Sequence, residues 1–330
     1  MNMNIETPWV EKYRPKDFDE IVSQSIAINN LKKFVQKKYD MPHMIFSGPA
    51  GTGKTTTALI IANKLLKGDI YYRNVLELNA SDTVRMDFVR KELQDFVNQN
   101  LIISDRELKI VILDEADNIP KTVQQTLRRI IESSPNNVKF ILMCNYINQI
   151  IDPIISRCAV FRFVTLPKDK IINRLKFIVE QEQLSLPEGK KKEFFETLFF
   201  ISGGDLRKAI NSLQMAVALE LIEDLNINEI LKISGFVERP VLNQLKRYLE
   251  TKEFAKARDI FDSIDYLDSR NFIRQLLNFL PEFKNVNKNN ASQLRAYFGD
   301  VDYRISQGAD ERVQLTALLA ELISYQDTTT

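Results

Sequence analysis

Along the first half of the chain, short β-rich apolar runs alternate with stretches whose apolar residues recur at helical spacing. The runs Met44–Ser47, Val75–Asn79, Lys109–Asp114, Phe140–Asn145 and Val160–Val164 predict strands, and Thr55–Lys67, Arg85–Asn98 and Lys121–Ser133 predict helices between them. Apolar strands separated by helices predict a parallel sheet covered on both faces, an α/β arrangement. After Pro167 the strand signal stops. Ile171, Leu175, Ile178 and Val179 fall on one helical stripe, and Phe194, Leu198 and Ile201 on another. Asp205 reads as an N-cap for a helix whose stripe is Leu206, Ala209, Ile210, Leu213 and Val217. From Val241 to Gln326 the spacing is helical again, with breaks expected near Pro281 and Gly299. Three parts are expected: residues 1–166 as an α/β domain, 167–234 as a small helical domain and 235–330 as a helical C-terminal domain.

Of ten glycines, five crowd into two places, Gly48/Gly51/Gly53 and Gly203/Gly204, where backbone freedom or close approach is needed. The first place carries chemistry. Gly48-Pro49-Ala50-Gly51-Thr52-Gly53-Lys54-Thr55, followed by Thr56, fits a phosphate loop between an apolar strand and a helix. Its backbone N–H groups would wrap phosphates at a helix N-terminus, Lys54 would reach the β- and γ-phosphates, and Thr55 would hold Mg²⁺. The strand Lys109–Asp114 ends in Asp114, Glu115 and Asp117. Asp114 suits Mg²⁺ held through water, and Glu115 suits alignment of an attacking water. Asp117 has two readings, a helix-end charge or a functional carboxylate. Asn145, ending the next strand, is either a γ-phosphate contact or a turn former. Arg157 is an arginine-finger candidate or a solvated ion-pair partner. Arg207, at a helix start where a cation opposes the dipole, is either a contact for an anionic ligand or a solvated surface charge.

Composition narrows the setting. The 330 residues carry 45 basic and 44 acidic side chains, so a nucleic-acid site must be a local patch rather than the whole surface. No apolar run is long enough to span a bilayer, and Met1–Glu6 lacks the pattern of a secretory signal, so an intracellular location is expected. Cys144 and Cys158 are too few for a structural zinc site and fit a reducing compartment; Cys158, without a histidine partner nearby, reads as a structural thiol. Trp9 reads as packing for the N-terminal arm rather than as a base platform. A helicase reading of Asp114-Glu115-Ala116-Asp117 fails because the rest of the chain is helical and offers no second RecA-like domain.

Taken together, these residues resemble the AAA+ ATPases, and within them the replication factor C small subunits of sliding-clamp loaders, with wording nearest the archaeal ones. The resemblance runs through Pro8–Pro15, Asp19–Val22, Glu77–Asp82, Asp114–Asp117, Ser156–Cys158, Gly204–Arg207 and Val301–Ile305 with Gln314–Glu321. It implies an AAA+ P-loop NTPase domain with a parallel sheet, a small helical lid and an all-α C-terminal collar. It also implies ATP and Mg²⁺ as ligands, with Val10, Tyr13, Arg14 and Val22 lining the adenine pocket. Asn145 and Arg207 would be nucleotide sensors, and Arg157 would act in trans on a neighbour's ATP. The implied partners are a large subunit and further small subunits, five in total, with the sliding clamp and primer–template DNA. DNA phosphates would meet Arg85, Arg90, Lys91 and Lys121, against the plain reading of a charged helix face. Here the chain departs from the family: Thr83-Val84-Arg85-Met86 replaces the usual Glu-Arg-Gly-Ile, so Arg85 stands one place late and Arg90 alone keeps its register. The implied location is DNA-associated, cytoplasmic in an archaeon and nuclear in a eukaryote. Two other readings stand beside this one. An architectural subunit with a dispensable ATPase could lose Lys54, Glu115 and Arg157, which are all intact. A stand-alone remodelling ATPase would lack the collar-like segment.

Overall fold

The computed structural model describes residues 7–37, 40–80, 86–98, 108–284, 286 and 288–325. The first compact unit runs to Leu184 and takes in Ser202–Gln214; the second comprises Ser185–Ile201 and the chain from Met215 onward.

In the first unit five parallel strands form one sheet: β1 His43–Ser47, β2 Val75–Asn79, β3 Lys109–Asp114, β4 Val138–Cys144 and β5 Cys158–Arg162, in the order β2-β3-β4-β1-β5. The inner strands are nearly continuous runs of buried apolar residues, as a sheet covered on both faces requires. Their period of two separates the core into two layers. Phe46, Ile110, Ile112, Ile141 and Met143 pack to one side, and Ile45, Val111, Leu113, Phe140 and Leu142 to the other. The helices of this unit are α1 Trp9–Lys12, α2 Ser25–Gln36, α3 Lys54–Leu65, α4 Asp69–Asn74, α5 Met86–Asn98, α6 Lys121–Ser133, α7 Asp152–Ile155 and α8 Lys168–Gln181. Register brings the functional ends together. Ser47 pairs with Cys144, Leu113 with Leu142, and Asn79 with Asp114, so the residues that follow β1, β3 and β4 emerge side by side at the carboxyl edge of the sheet.

Helix α9 Lys191–Ser202 belongs to the second unit up to Ile201, and α10 Leu206–Ala218 belongs to the first up to Gln214. The second unit continues with α11 Ile227–Ile233, α12 Arg239–Glu250, α13 Phe254–Asp262, α14 Ser269–Phe279, α15 Lys288–Ser306 and α16 Glu311–Ser324. Leu245, Phe261, Phe272, Phe298, Val301 and Leu318 stand at the centre of its core. Asp268 and Asp310 start α14 and α16 by accepting from the N–H of Asn271 and Val313, at 2.7 and 2.8 Å.

Several expected boundaries shift, each for a local reason. The strand expected over Val160–Val164 is Cys158–Arg162, because Val164 exchanges both backbone groups with the Gln24 side chain (N to Oε1 3.1 Å, Nε2 to O 2.7 Å). The run expected to end at Asn145 ends at Cys144, because the Asn145 N–H goes to Asp117. A break occurs at Pro281, where a 3-10 turn over Leu280–Glu282 follows α14. Near Gly299 none occurs: α15 runs through it, and the glycine faces open space.

Candidate active site

The loop from Gly48 to Gly53 joins β1 to α3 and turns through left-handed backbone at Gly51 and Gly53, with φ of 68° and 98°. Space forbids a side chain at Gly51 as well, since a Cβ there would stand 1.8 Å from Asp205 Oδ1. Thr52 Oγ1 fixes the loop by donating to Pro49 O at 2.8 Å. Lys54, the first residue of α3, is buried. Its Nζ donates to Gly48 O at 2.6 Å, Pro49 O at 2.8 Å and Asn145 Oδ1 at 3.1 Å, which occupies the three donors of an ammonium group. Burial lowers the Lys54 pKa, while nearby Asp114 works the other way.

Beside it, Thr55 Oγ1 donates to Asp114 Oδ2 at 2.9 Å, and Asp114 Oδ1 accepts from the Glu115 N–H at 2.9 Å. A hydroxyl and a carboxylate meeting at a loop built to hold phosphates form a hard-oxygen pair. That suits Mg²⁺, which keeps several waters and takes further oxygens from phosphates. Among the described residues no cluster of three His, Cys, Asp or Glu side chains offers an all-protein metal cage. Glu115 adopts φ 54°, a strained conformation for a side-chain-bearing residue, and Asn118 Nδ2 donates to its Oε2 at 3.1 Å. Asp117 does not cap a helix by its side chain. It is buried, and its Oδ2 accepts from the N–H groups of Asn145 and Tyr146 at 2.9 and 3.1 Å. Its Oδ1 is without a partner among the described residues. Asp117 therefore ties the segment after β3 to the segment after β4.

The apolar side of the cleft comes from the N-terminal arm. Val10, Tyr13, Arg14, Pro15, Ile21 and Val22 line it together with Ala50–Thr56, Asp114, Glu115, Cys144, Asn145, Leu166, Leu206, Arg207 and Ile210. About 1050 Å³ of space, open solvent at the mouth included, lies among these walls. The arm is pinned at three points: Trp9 N–H to Gln214 Oε1 at 3.0 Å, Tyr13 OH to Glu182 Oε1 at 2.6 Å, and Arg174 Nη2 to Tyr13 O at 2.6 Å. Trp9 is buried and meets Tyr13 edge to face, a packing role.

Gly48 and Pro49 do not line the cleft, and act instead as the carbonyl acceptors of Lys54. Sequence reasoning missed Arg174, which also lines the cleft and lies over the Phe177 ring at 4.9 Å. The available signal was an arginine three residues before an exposed aromatic on an otherwise apolar-striped helix. Arg157 stands outside the cleft, in the turn between α7 and β5. Lys91 on α5 and Lys121 at the start of α6 are exposed; Arg90 is placed on α5 by its backbone, and Arg85 lies outside the described residues. Cys158 is half-buried, and burial pushes its thiol up to about 12, so it stays protonated at neutral pH. No described helix is long and apolar enough to cross a membrane.

Comparison with known proteins shows the family and the fold. Residues 44–166 match the family described as ATPase family associated with various cellular activities (AAA), and residues 238–321 match the replication factor C C-terminal domain. A replication factor C small subunit 1 from Pyrobaculum aerophilum is 41% identical over 95% of this chain and 93% of its own length. A replication factor C small subunit from Saccharolobus solfataricus is 39% identical over 97% and 95%, and one from Methanothermobacter thermautotrophicus 41% identical over 96% and 98%. Among solved structures, the Thermotoga maritima RuvB Holliday junction branch migration motor shares the fold, with TM-score 0.53 and 18% identity over 73% of this chain and 80% of its own.

Proposed function

The chain belongs to the replication factor C small subunits, and from that premise we propose how its residues perform ATP-driven clamp loading. It is an AAA ATPase and a clamp-loader subunit. The observation that supports the residue roles best is the junction of Lys54, Asn145, Thr55 and Asp114 at one edge of the sheet.

In this reading the adenine sits against Val10, Tyr13, Arg14 and Val22, and the triphosphate lies along the backbone N–H groups of the loop at the start of α3. Lys54 exchanges its carbonyl and amide acceptors for β- and γ-phosphate oxygens, which releases Asn145 to contact the γ-phosphate. Thr55 and Asp114 would hold Mg²⁺, which neutralises charge developing on the phosphates. Glu115, once free of Asn118, orients the water that attacks the γ-phosphorus, and the β–γ bond breaks to give ADP and phosphate. Arg207 on α10 closes on the γ-phosphate from the lid side. Arg157 supplies a cation to the nucleotide of a neighbouring subunit. The proposed assembly has five subunits, four small and one large, and this chain is divided functionally after residues 166 and 234, with the last part as the collar. ATP closes the spiral around primer–template DNA and an open sliding clamp, and hydrolysis lets the loader go. Arg90, Lys91 and Lys121, with Arg85, would meet DNA phosphates. The compartment follows the source: cytoplasmic in an archaeon, nuclear in a eukaryote.

The test is ATP turnover by the chain, alone and with a large subunit, with and without primed DNA and clamp. Joint stimulation by DNA and clamp, lost in Glu115→Gln while nucleotide binding persists, is the expected result. Replacing Lys54 by Ala should remove nucleotide binding itself. Turnover indifferent to DNA and clamp in every mixture would favour a stand-alone remodelling ATPase.

A further inference from the structure

Arg157 is held on two sides within its own chain. Its Nη1 donates to Pro153 O at 2.6 Å and, at 3.4 Å, to Ser156 Oγ; its Nη2 meets Glu132 Oε1 at 2.6 Å. The same Glu132 oxygen accepts from Arg128 Nε at 2.8 Å, one turn earlier on α6. A single carboxylate oxygen at the end of α6 thus joins two guanidiniums that would otherwise repel each other. Arg128 also keeps the Glu132 carboxyl below its ordinary range, so the carboxylate is ionised at neutral pH.

Stability alone is a poor reason for this arrangement. The three side chains are 30% to 39% exposed, and ion pairs at such exposure contribute little to folding. Its effect is on geometry. A free arginine in a turn samples many rotamers, and only a few of them aim the guanidinium in one direction. The contacts to Pro153 and Glu132 fix the plane of the group. Among the described residues, Nε and the second Nη2 hydrogen are left for an incoming anion. Preorganisation of this kind lowers the entropic cost of a contact made only in the transition state.

We infer that Glu132 is a positioning residue for Arg157, holding its guanidinium beside Arg128 in the attitude from which it reaches a neighbouring subunit's nucleotide. This rests on the trans role proposed for Arg157.

The experiment uses assembled loader in which donor chains carry Glu115→Gln, so that their own sites are silent, mixed in excess with wild-type chains. ATP turnover of the wild-type chains is measured with primed DNA and clamp, and resolved into kcat and KM. Adding Glu132→Ala to the donor is expected to lower kcat roughly three- to tenfold, with KM changed by less than about twofold. Glu132→Gln, which keeps an acceptor oxygen but loses the charge, should fall between. Arg157→Ala in the donor is the control and should lower kcat further. If that control lowers kcat and Glu132→Ala does not, the positioning role is overturned while the trans role stands. A rise in kcat with Glu132→Ala also overturns it, since Glu132 would then restrain the arginine. If Arg157→Ala leaves kcat unchanged, the trans role fails and the positioning role with it. Thermal unfolding of the Glu132→Ala chain close to wild type separates positioning from misfolding.

Discussion

The two units of this chain bury different things. Among the described residues, the first unit holds every buried charged side chain, Lys54, Lys109 and Asp117, along with buried amides such as Gln24, Asn74 and Gln124. The second buries leucine, phenylalanine, isoleucine and valine, with Ser269 and Gln275 its buried polar residues. Burying a charge or an amide costs free energy unless its bonds are made, and an apolar core carries no such condition. The first unit accepts that cost in part at the carboxyl edge of its sheet, where Lys54 and Asp117 bond to the segments that follow β1 and β4. Among the described residues the second unit buries no whole charged side chain, and its buried amide Gln275 is satisfied by both backbone groups of Val237.

That contrast can be tested by damaging each unit in its own terms, and the largest effect should come from the apolar one. Phe272 is fully buried and stacks on Phe261 with ring centroids 5.6 Å apart. Phe272→Ala should cost about 3–5 kcal/mol of stability, read by chemical denaturation. Nucleotide binding, followed with a fluorescent ATP analogue below the unfolding transition, should be unaffected. Weakened binding at full folding would show that the apolar unit is not merely a scaffold.

Asp117→Ala probes the opposite case. It strands the N–H groups of Asn145 and Tyr146, which the carboxylate now accepts. About 2–3 kcal/mol should be lost, and turnover should fall in addition, because Asn145 is held by that bond. Loss of stability with unchanged turnover of the remaining folded protein would make Asp117 structural only.

How much of this was legible in the sequence follows the same division. The phosphate loop, the carboxylates after β3 and the parallel strands are local signals: apolar runs, a glycine spacing and a strand-ending acid pair. The helix Lys121–Ser133 was legible to the residue because a strong apolar stripe is bounded by Pro120. Arg174 and the role of Asp117 were not legible, since each acts through a backbone atom distant in sequence: the carbonyl of Tyr13, and the N–H groups of Asn145 and Tyr146. The end of β5 was displaced by a contact between Gln24 and Val164, 140 residues apart. Periodicity reports which face is buried, and carries no information about which distant partner a polar group will find. Gly299 shows the converse, a helix breaker by propensity inside a helix whose neighbouring residues Phe298 and Val301 are packed in the core.

A smaller effect should come from His43, whose pKa is lowered to about 4, chiefly by burial. The Phe140 N–H donates to its Nδ1 at 3.2 Å, which requires that nitrogen to be unprotonated. The unfolded chain takes up a proton near pH 6.5, whereas the folded one resists until about 4. Stability from this residue is therefore complete above pH 6.5 and lost as the pH falls toward 4, by about 1–3 kcal/mol after solvent screening. His43→Gln, which keeps an acceptor, should flatten the part of the acid dependence that His43 causes; denaturation midpoints at pH 7 and 4.5 would show it. An unchanged acid slope would assign the loss to other groups.

The smallest expected effect separates strain that serves the site from strain that does not. Ser23 and Gln24 both adopt φ 63°, two adjacent left-handed residues that each carry a side chain. At Gln24 the conformation has a use: the buried amide holds both backbone groups of Val164, which fixes the end of β5 next to the phosphate loop. Ser23 is half-buried and has no corresponding side-chain contact among the described residues. Left-handed backbone costs a side-chain-bearing residue about 1–2 kcal/mol, and glycine returns part of that gain as unfolded-state entropy. Ser23→Gly should therefore stabilise the chain by about 0.5 kcal/mol with turnover unchanged. Gln24→Gly relieves the same angle but strands the N–H and carbonyl of Val164, and should destabilise by about 1–3 kcal/mol. Opposite signs at two neighbouring residues with the same φ, read from paired denaturation curves, would place the value of the strain in the Gln24 amide. If both variants stabilise, the contact with Val164 contributes nothing to the fold and the buried polar groups of this edge matter less than their geometry implies.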